Sequence, residues 1–226
     1  MKKSFSILLL CATASIAHAQ SPLKAGTVAL GGSINYAHSS DEISSNSGYR
    51  YGSYSSSYSN NTLSLSPEVS YFVADNLSVG LNLNYSIQEI AFSSSPGSSG
   101  TTYRDATSFR IGPFVRYYKM LNDQFGFTGT LGAGYEHDKQ PGQTTNTGNA
   151  GVIKANGFYA ALTPGVIFLP IPKLGIGASI GGLGYTRLDV KPETTSNADY
   201  KETTSSFGAS FGLAQLTFSG TYFFGR

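Results

Sequence analysis

From Gly26 onward, apolar and polar residues alternate with a period of two, interrupted by turn-rich segments, and no stretch carries helical periodicity. The alternation predicts eight strands, at about 26–37, 61–73, 77–91, 104–119, 125–137, 155–169, 174–188 and 203–224. Three connections are tight: Ala74-Asp75-Asn76, Leu121 to Gln124, and Pro170-Ile171-Pro172-Lys173. The other four, 38–60, 92–103, 138–154 and 189–202, are longer and rich in Ser, Gly, Asn and Thr. Outer-membrane barrels alternate short periplasmic turns with long external loops in this way. The expected fold is therefore all-β, an eight-stranded antiparallel up-and-down transmembrane β-barrel with both termini on the periplasmic side.

A soluble eight-stranded barrel turns its apolar side chains inward, so the polar faces decide between the two. The third strand sets Leu77, Val79, Leu81, Leu83, Tyr85 and Ile87 against Ser78, Gly80, Asn82, Asn84, Ser86 and Gln88. The fifth sets Phe125, Phe127, Gly129, Leu131, Ala133 and Tyr135 against Gly126, Thr128, Thr130, Gly132 and Gly134. Neither polar face holds a charge. A surface in water would use Lys and Glu there, whereas small neutral residues suit the interior of a narrow barrel. Tyr36, Tyr85 and Tyr135 lie eight residues from outward Val28, Leu77 and Phe127. At ~3.3 Å per residue and a tilt of about 40°, that spacing spans roughly 20 Å of membrane. Tyr71, Tyr117, Phe168 and Tyr222 form the expected opposite girdle. In a β-sandwich, the alternative architecture, the same rings would be core aromatics.

Three descending strands end on one pattern of Pro, any residue, aliphatic, any residue and aromatic. These are Pro67-Glu68-Val69-Ser70-Tyr71, Pro113-Phe114-Val115-Arg116-Tyr117 and Pro164-Gly165-Val166-Ile167-Phe168; Phe218-Ser219-Gly220-Thr221-Tyr222 closes the last strand without the proline. The last two strands break phase. Leu183 and Tyr185 face outward only if a bulge at Gly181-Gly182 resets the alternation, and a second switch falls across Ala214-Gln215.

Lys2 and Lys3, the apolar stretch Phe5 to Ile16, and Ala17-His18-Ala19 have the layout of a secretory signal. Residues 1–19 are expected to be a signal peptide and 20–226 one barrel domain. The apolar stretch is shorter than the about 20 residues a membrane helix takes, and no later stretch is long enough. The single cysteine, Cys11, lies inside the signal behind Leu10, where lipoprotein signals carry a small residue. Neither a lipid anchor nor disulfides nor thiol ligands are expected in the mature chain. Without Lys2 and Lys3 the 15 basic residues become 13, against 13 acidic. A formally neutral chain offers no basic surface for nucleic acid. Charged residues make up 12%, few for a β-protein in water.

The run from Pro67 through Glu68-Val69-Ser70-Tyr71-Phe72-Val73-Ala74-Asp75-Asn76 to Leu81, the segment Gly129 to Tyr135 and the aromatic final strand resemble one family. It is the family of small outer-membrane β-barrel domains that includes the OmpA transmembrane domain, OmpX and the opacity-type adhesins. The resemblance covers essentially the whole chain after the signal. It implies the outer membrane of a Gram-negative bacterium and a monomer surrounded by outer-membrane lipid and lipopolysaccharide. It also implies delivery by periplasmic chaperones and the barrel-assembly machinery. Such families commonly finish on an aromatic residue, whereas here Gly225 and Arg226 follow Phe224. With residues 20–226 read as one barrel domain, the peptidoglycan-binding domain of full-length OmpA-type proteins and its cell-wall tethering are not expected.

Three charges face inward on this register, Glu68, Arg110 and Arg116, and an unpaired ion in a narrow lumen would cost several kcal/mol. They form either a structural plug or a gate or selectivity ring, with Phe72, Phe114 and Tyr118 occluding the lumen further. The rim carries His38, followed by Asp41 and Glu42, and His137 between Glu136 and Asp138. Consecutive strand residues cannot all point one way, and no paired nucleophile accompanies them, so no catalytic residue, cofactor or metal is assigned. Tyr49, Tyr51, Tyr54 and Tyr58 in the first loop are either a contact surface for extracellular ligands or part of a hydrophilic loop without a partner. The expected role is structural or surface-interacting, adhesion-like, with a plugged lumen; the alternatives are a narrow channel for small or apolar solutes and a barrel enzyme.

Overall fold

The computed structural model describes residues 23–45, 54–95, 98–144, 150–192, 202–212 and 215–225; the expected signal peptide lies outside them. They form ten β segments: β1 Val28–Ser45, β2 Tyr54–Ala74, β3 Leu77–Ser95, β4 Ser98–Met120, β5 Phe125–Thr144, β6 Ala150–Ile171, β7 Leu174–Ile180, β8 Gly182–Pro192, β9 Glu202–Ser210 and β10 Leu216–Phe224. β7 with β8, and β9 with β10, are halves of single strands, so the wall is an antiparallel eight-stranded barrel. It closes where β1 pairs with β10, from Val28 opposite Phe224 to Ser33 opposite Ser219.

Local chemistry sets the tight turns. Asp75 and Asn76 join β2 to β3, with Asn76 at φ 63°, a left-handed conformation that asparagine tolerates better than most residues. In the Leu121–Gln124 connection the Asn122 Oδ1 accepts the backbone N–H of Gln124 at 2.9 Å and of Phe125 at 2.7 Å. Pro172 and Lys173 make the third turn, because β6 runs on through Ile171.

At the opposite end the strands are longer than the side-chain pattern predicts. The expected loops 38–60, 92–103, 138–154 and 189–202 are strand over much of their length, with β1 reaching Ser45 and β3 reaching Ser95. Their Ser, Thr, Asn and Gly content marks where the wall changes surroundings, while the backbone ladder continues whatever side chains it carries. Hydroxyls pair across it, Ser57 with Ser93 at 2.9 Å and Thr186 with Ser206 at 2.7 Å.

The alternation resets as expected at Gly181, and Leu183, Tyr185, Phe207 and Phe218 all lie exposed on the outer face; Ala214, where the second switch was expected, lies outside the described residues. β7 and β10 pair Ile180 with Leu216, whereas β8 and β9 pair Gly182 with Ser210. One residue, Gly181, therefore stands against five, 211–215. Gly181 takes φ +64°, and a side chain there would run into the Ser210 carbonyl.

Candidate functional site

Inward-facing side chains cross the lumen in layers. At the tight-turn end, the residue following each repeat aromatic turns inward: Phe72 after Tyr71, Tyr118 after Tyr117, Leu169 after Phe168 and Phe223 after Tyr222. With Leu23 and Ile167 they form a buried apolar floor. The Phe72 ring centroid lies 5.4 Å from that of Tyr118 and 6.1 Å from that of Phe223. The N-terminal segment is tied to this end, since Gly26 N–H donates to the Phe72 carbonyl and Asn76 N–H to the Leu23 carbonyl, both at 2.9 Å.

Above the floor, two of the three predicted inward charges meet. Arg116 grips Glu68 with both terminal nitrogens, at 2.5 and 2.8 Å, while its Nε donates to Thr130 Oγ1 at 2.8 Å. The guanidinium stacks 4.9 Å above the Phe114 ring centroid. All three of its nitrogens are thus engaged. Beside this clamp lies a polar cavity of about 240 Å³, lined by Ser66, Asn82, Thr128, Thr163 and Ser219 among others.

Arg110 belongs to a separate, higher layer. Its Nη2 lies 2.5 Å from Glu136 Oε1, and its guanidinium sits 5.4 Å from the Tyr159 ring centroid. The Tyr159 hydroxyl donates to Asn82 Oδ1 at 3.2 Å. Glu136 is the partner that the sequence reading missed, having grouped it with His137. One more step along the inward set Thr128, Thr130, Gly132 and Gly134 reaches it.

The rim histidines do not assemble a reactive cluster. His38 Nδ1 lies 2.6 Å from Asn61 Oδ1 on β2, and His137 Nδ1 lies 2.5 Å from Asn156 Oδ1 on β6. Glu136 turns inward and pairs with Arg110. No group of three or more metal-ligating side chains occurs among the described residues. Of the first-loop tyrosines, Tyr58 is exposed on β2 opposite Asp41. Tyr54 opens β2, with its side chain outside the described set, and Tyr49 and Tyr51 lie outside the described residues altogether.

The wall itself holds a feature that no local pattern announced. Beyond Ser33 the β1 ladder toward the last strand stops, and among the described residues the Ile34–Ser45 edge of β1 and the outer edge of β9 have no strand partner. Gly32, at φ +157°, marks the departure. Ile34 at 70% and Phe207 at 75% exposure flank this seam, against 52% for Leu30 where the ladder is intact.

No protein-family model matches this sequence, and no curated protein matches it. Among solved structures, the outer membrane protein OprG from Pseudomonas aeruginosa matches with TM-score 0.51 and 14% identity, over 90% of this chain and 98% of that one. Ail, the attachment invasion locus protein of Yersinia pestis, matches with TM-score 0.40 and 14% identity, over 88% of this chain and 99% of that one. At such identity the likeness to OprG concerns architecture, and the chain has the fold of the small eight-stranded outer-membrane barrels.

Proposed function

We propose that this chain is an integral protein of a bacterial outer membrane, matured by loss of residues 1–19. Its tight turns and both termini lie in the periplasm, and its far end stands outside the cell. The role is structural or surface-interacting, with a lumen closed to ion flow. The order of the faces carries this reading: the outer wall is an apolar belt between aromatic girdles, and the interior is crossed by side chains. On β5 the belt runs ten residue steps, from Phe125 to Tyr135. At ~3.3 Å per residue and about 40° tilt, this is roughly 25 Å, the height of the apolar band of such barrels. Inside, the buried Phe72, Tyr118 and Phe223 floor and the Glu68–Arg116 clamp support a lumen closed at two levels. Exposed Tyr58 supplies the far end with an amphipathic ring of the kind contact surfaces favour.

Planar-bilayer recording of the refolded protein tests the closed lumen. Wild type should be silent, and so should Glu68→Ala/Arg116→Ala, because the apolar floor lies beneath the clamp. Steady wild-type conductance would refute the reading.

The seam favours a second reading, a conduit for small apolar solutes. Backbone groups left unpaired in hydrocarbon cost several kcal/mol each, so an edge beside belt residues Ile34 and Phe207 has to be satisfied by something. Uptake of an apolar dye into proteoliposomes that conduct no ions would favour that conduit over a purely structural role.

A further inference from the structure

Above the Glu68–Arg116 clamp, the inner face of β2 to β5 borders a further cavity of about 290 Å³. The register builds it rung by rung. Asn84, Arg110 and Glu136 stand side by side on β3, β4 and β5. One inward step farther out come Ser86, Ser108 and Asp138, and beyond them Thr62 opposes Gln88 and Gln88 opposes Ala106. Ala106, small and buried, leaves the space that the oxygens around it line.

Two carboxylates meet one guanidinium in this cavity. Glu136 is 2% exposed, and Arg110 takes only its Oε1, at 2.5 Å. The other oxygen, Oε2, is buried without a hydrogen-bond partner among the described residues. Asp138, two residues along the same inward face, buries its Oδ1 in the same condition. An ionised carboxylate oxygen only accepts, so neither group can satisfy the other. Arg110 is the one basic residue on the described lining, which therefore carries one positive charge against two negative. Buried charged acceptors without a partner are costly, and a bound ion is one of the things that satisfies them.

Strand residues two apart have Cα atoms about 7 Å apart, which lets both side chains converge on one ion bonded at about 2.3–2.6 Å. Around them the lining offers the hydroxyl oxygens of Thr62, Ser86 and Ser108 and the amide oxygen of Gln88, with no histidine or cysteine among the described residues. Such an all-oxygen set suits calcium, which takes roughly six to eight ligands in irregular geometry. Magnesium demands a tighter octahedron, and zinc and copper favour nitrogen or sulfur.

We propose that Glu136 and Asp138, with the oxygens of Thr62, Ser86, Gln88 and Ser108 around them, form a calcium site in the far half of the lumen. The site needs the barrel wall alone and stands whether or not the lumen conducts. Its affinity belongs with that of extracellular calcium modules, a Kd of about 10⁻⁴–10⁻³ M.

The test refolds the full mature chain in a zwitterionic detergent, strips it with EDTA and titrates it calorimetrically with calcium chloride at physiological ionic strength. Wild type should bind one calcium ion per chain in that range. Asp138→Asn, which removes a charge at nearly constant volume, should bind it on the order of tenfold more weakly or worse. Glu89→Gln/Asp105→Asn removes two acids that face each other on the outer wall and should bind calcium as wild type does. Gln88→Leu takes an amide oxygen from the same lining; it should also weaken binding, and it decides the matter if Asp138→Asn lacks the gel shift of a folded barrel. No calcium binding by wild type, or unchanged affinity in the lumen variants, overturns the site. Loss confined to Glu89→Gln/Asp105→Asn places the ion on the outer wall and overturns it too. Magnesium or sodium held as tightly as calcium overturns the calcium assignment.

Discussion

Removing either half of the Glu68–Arg116 clamp should cost almost as much as removing both. Breaking a buried ion pair from one side leaves a charge without a partner, typically at 3–5 kcal/mol. These side chains are 18% and 14% exposed, so lumen water reaches them and the lower end applies. Glu68→Ala should therefore lose about 3 kcal/mol. Arg116→Ala also gives up the Thr130 hydrogen bond and the Phe114 stacking, about 1 kcal/mol more, for a total near 4. If the two acted independently the double variant would lose about 7, whereas it should lose about 4, a coupling of roughly 3 kcal/mol. The assay is urea unfolding of the refolded barrel in lipid vesicles, followed by tyrosine fluorescence and by the gel shift between folded and unfolded chain. Additive losses would show that the pair does not act as a unit, and the layered lumen would lose its central element.

The upper pair should behave asymmetrically, because the Glu136 side chain is 3% exposed and that of Arg110 44%. Arg110→Ala strands a buried carboxylate and should cost about 2 kcal/mol, while Glu136→Ala leaves an arginine that reaches water and should cost less than 1, measured by the same unfolding. Leu131→Lys, in the middle of the outward belt, should destabilise by about 2–4 kcal/mol in vesicles, and Tyr135→Lys at the girdle by about 1 or less; equal costs would contradict the assigned membrane depth. Gly181→Ala should lose about 1–3 kcal/mol, because alanine disfavours φ +64° and meets the Ser210 carbonyl, whereas Gly129→Ala, with open space around it, should stay within about 1. Phe72→Ala should cost about 3–5 kcal/mol by opening the floor, and a value below 1 would show the floor to be loosely packed.

Much of this was legible one strand at a time. A period of two assigns each side chain a face without reference to any other strand, so Leu81 out, Asn82 in and Arg116 in follow from parity alone. The repeat ending in Tyr71, Tyr117, Phe168 and Tyr222 located the girdle. It also held the floor, one position further along, although Leu169 and Phe223 were not drawn from it. The far strand ends were misplaced because composition there follows the change from lipid to water, while strand length follows the backbone ladder, which Ser57 and Ser93 sustain as well as Leu and Val would.

What required the tertiary structure is everything that depends on rung-to-rung register between strands. Parity placed Glu68, Arg110 and Arg116 in one lumen, but only the register decides that Arg116 meets Glu68 while Arg110 lies at the height of Glu136. Ser86, Ser108 and Asp138 likewise share a rung only because three strands align them. The seam lies where the last strand is split, with Gly181 alone against the five positions 211–215 and only β10 reaching β1, an outcome of register around the whole barrel. Alternation is local chemistry, settled by each residue and its two neighbours. Height along the wall is a global quantity, settled when the barrel closes.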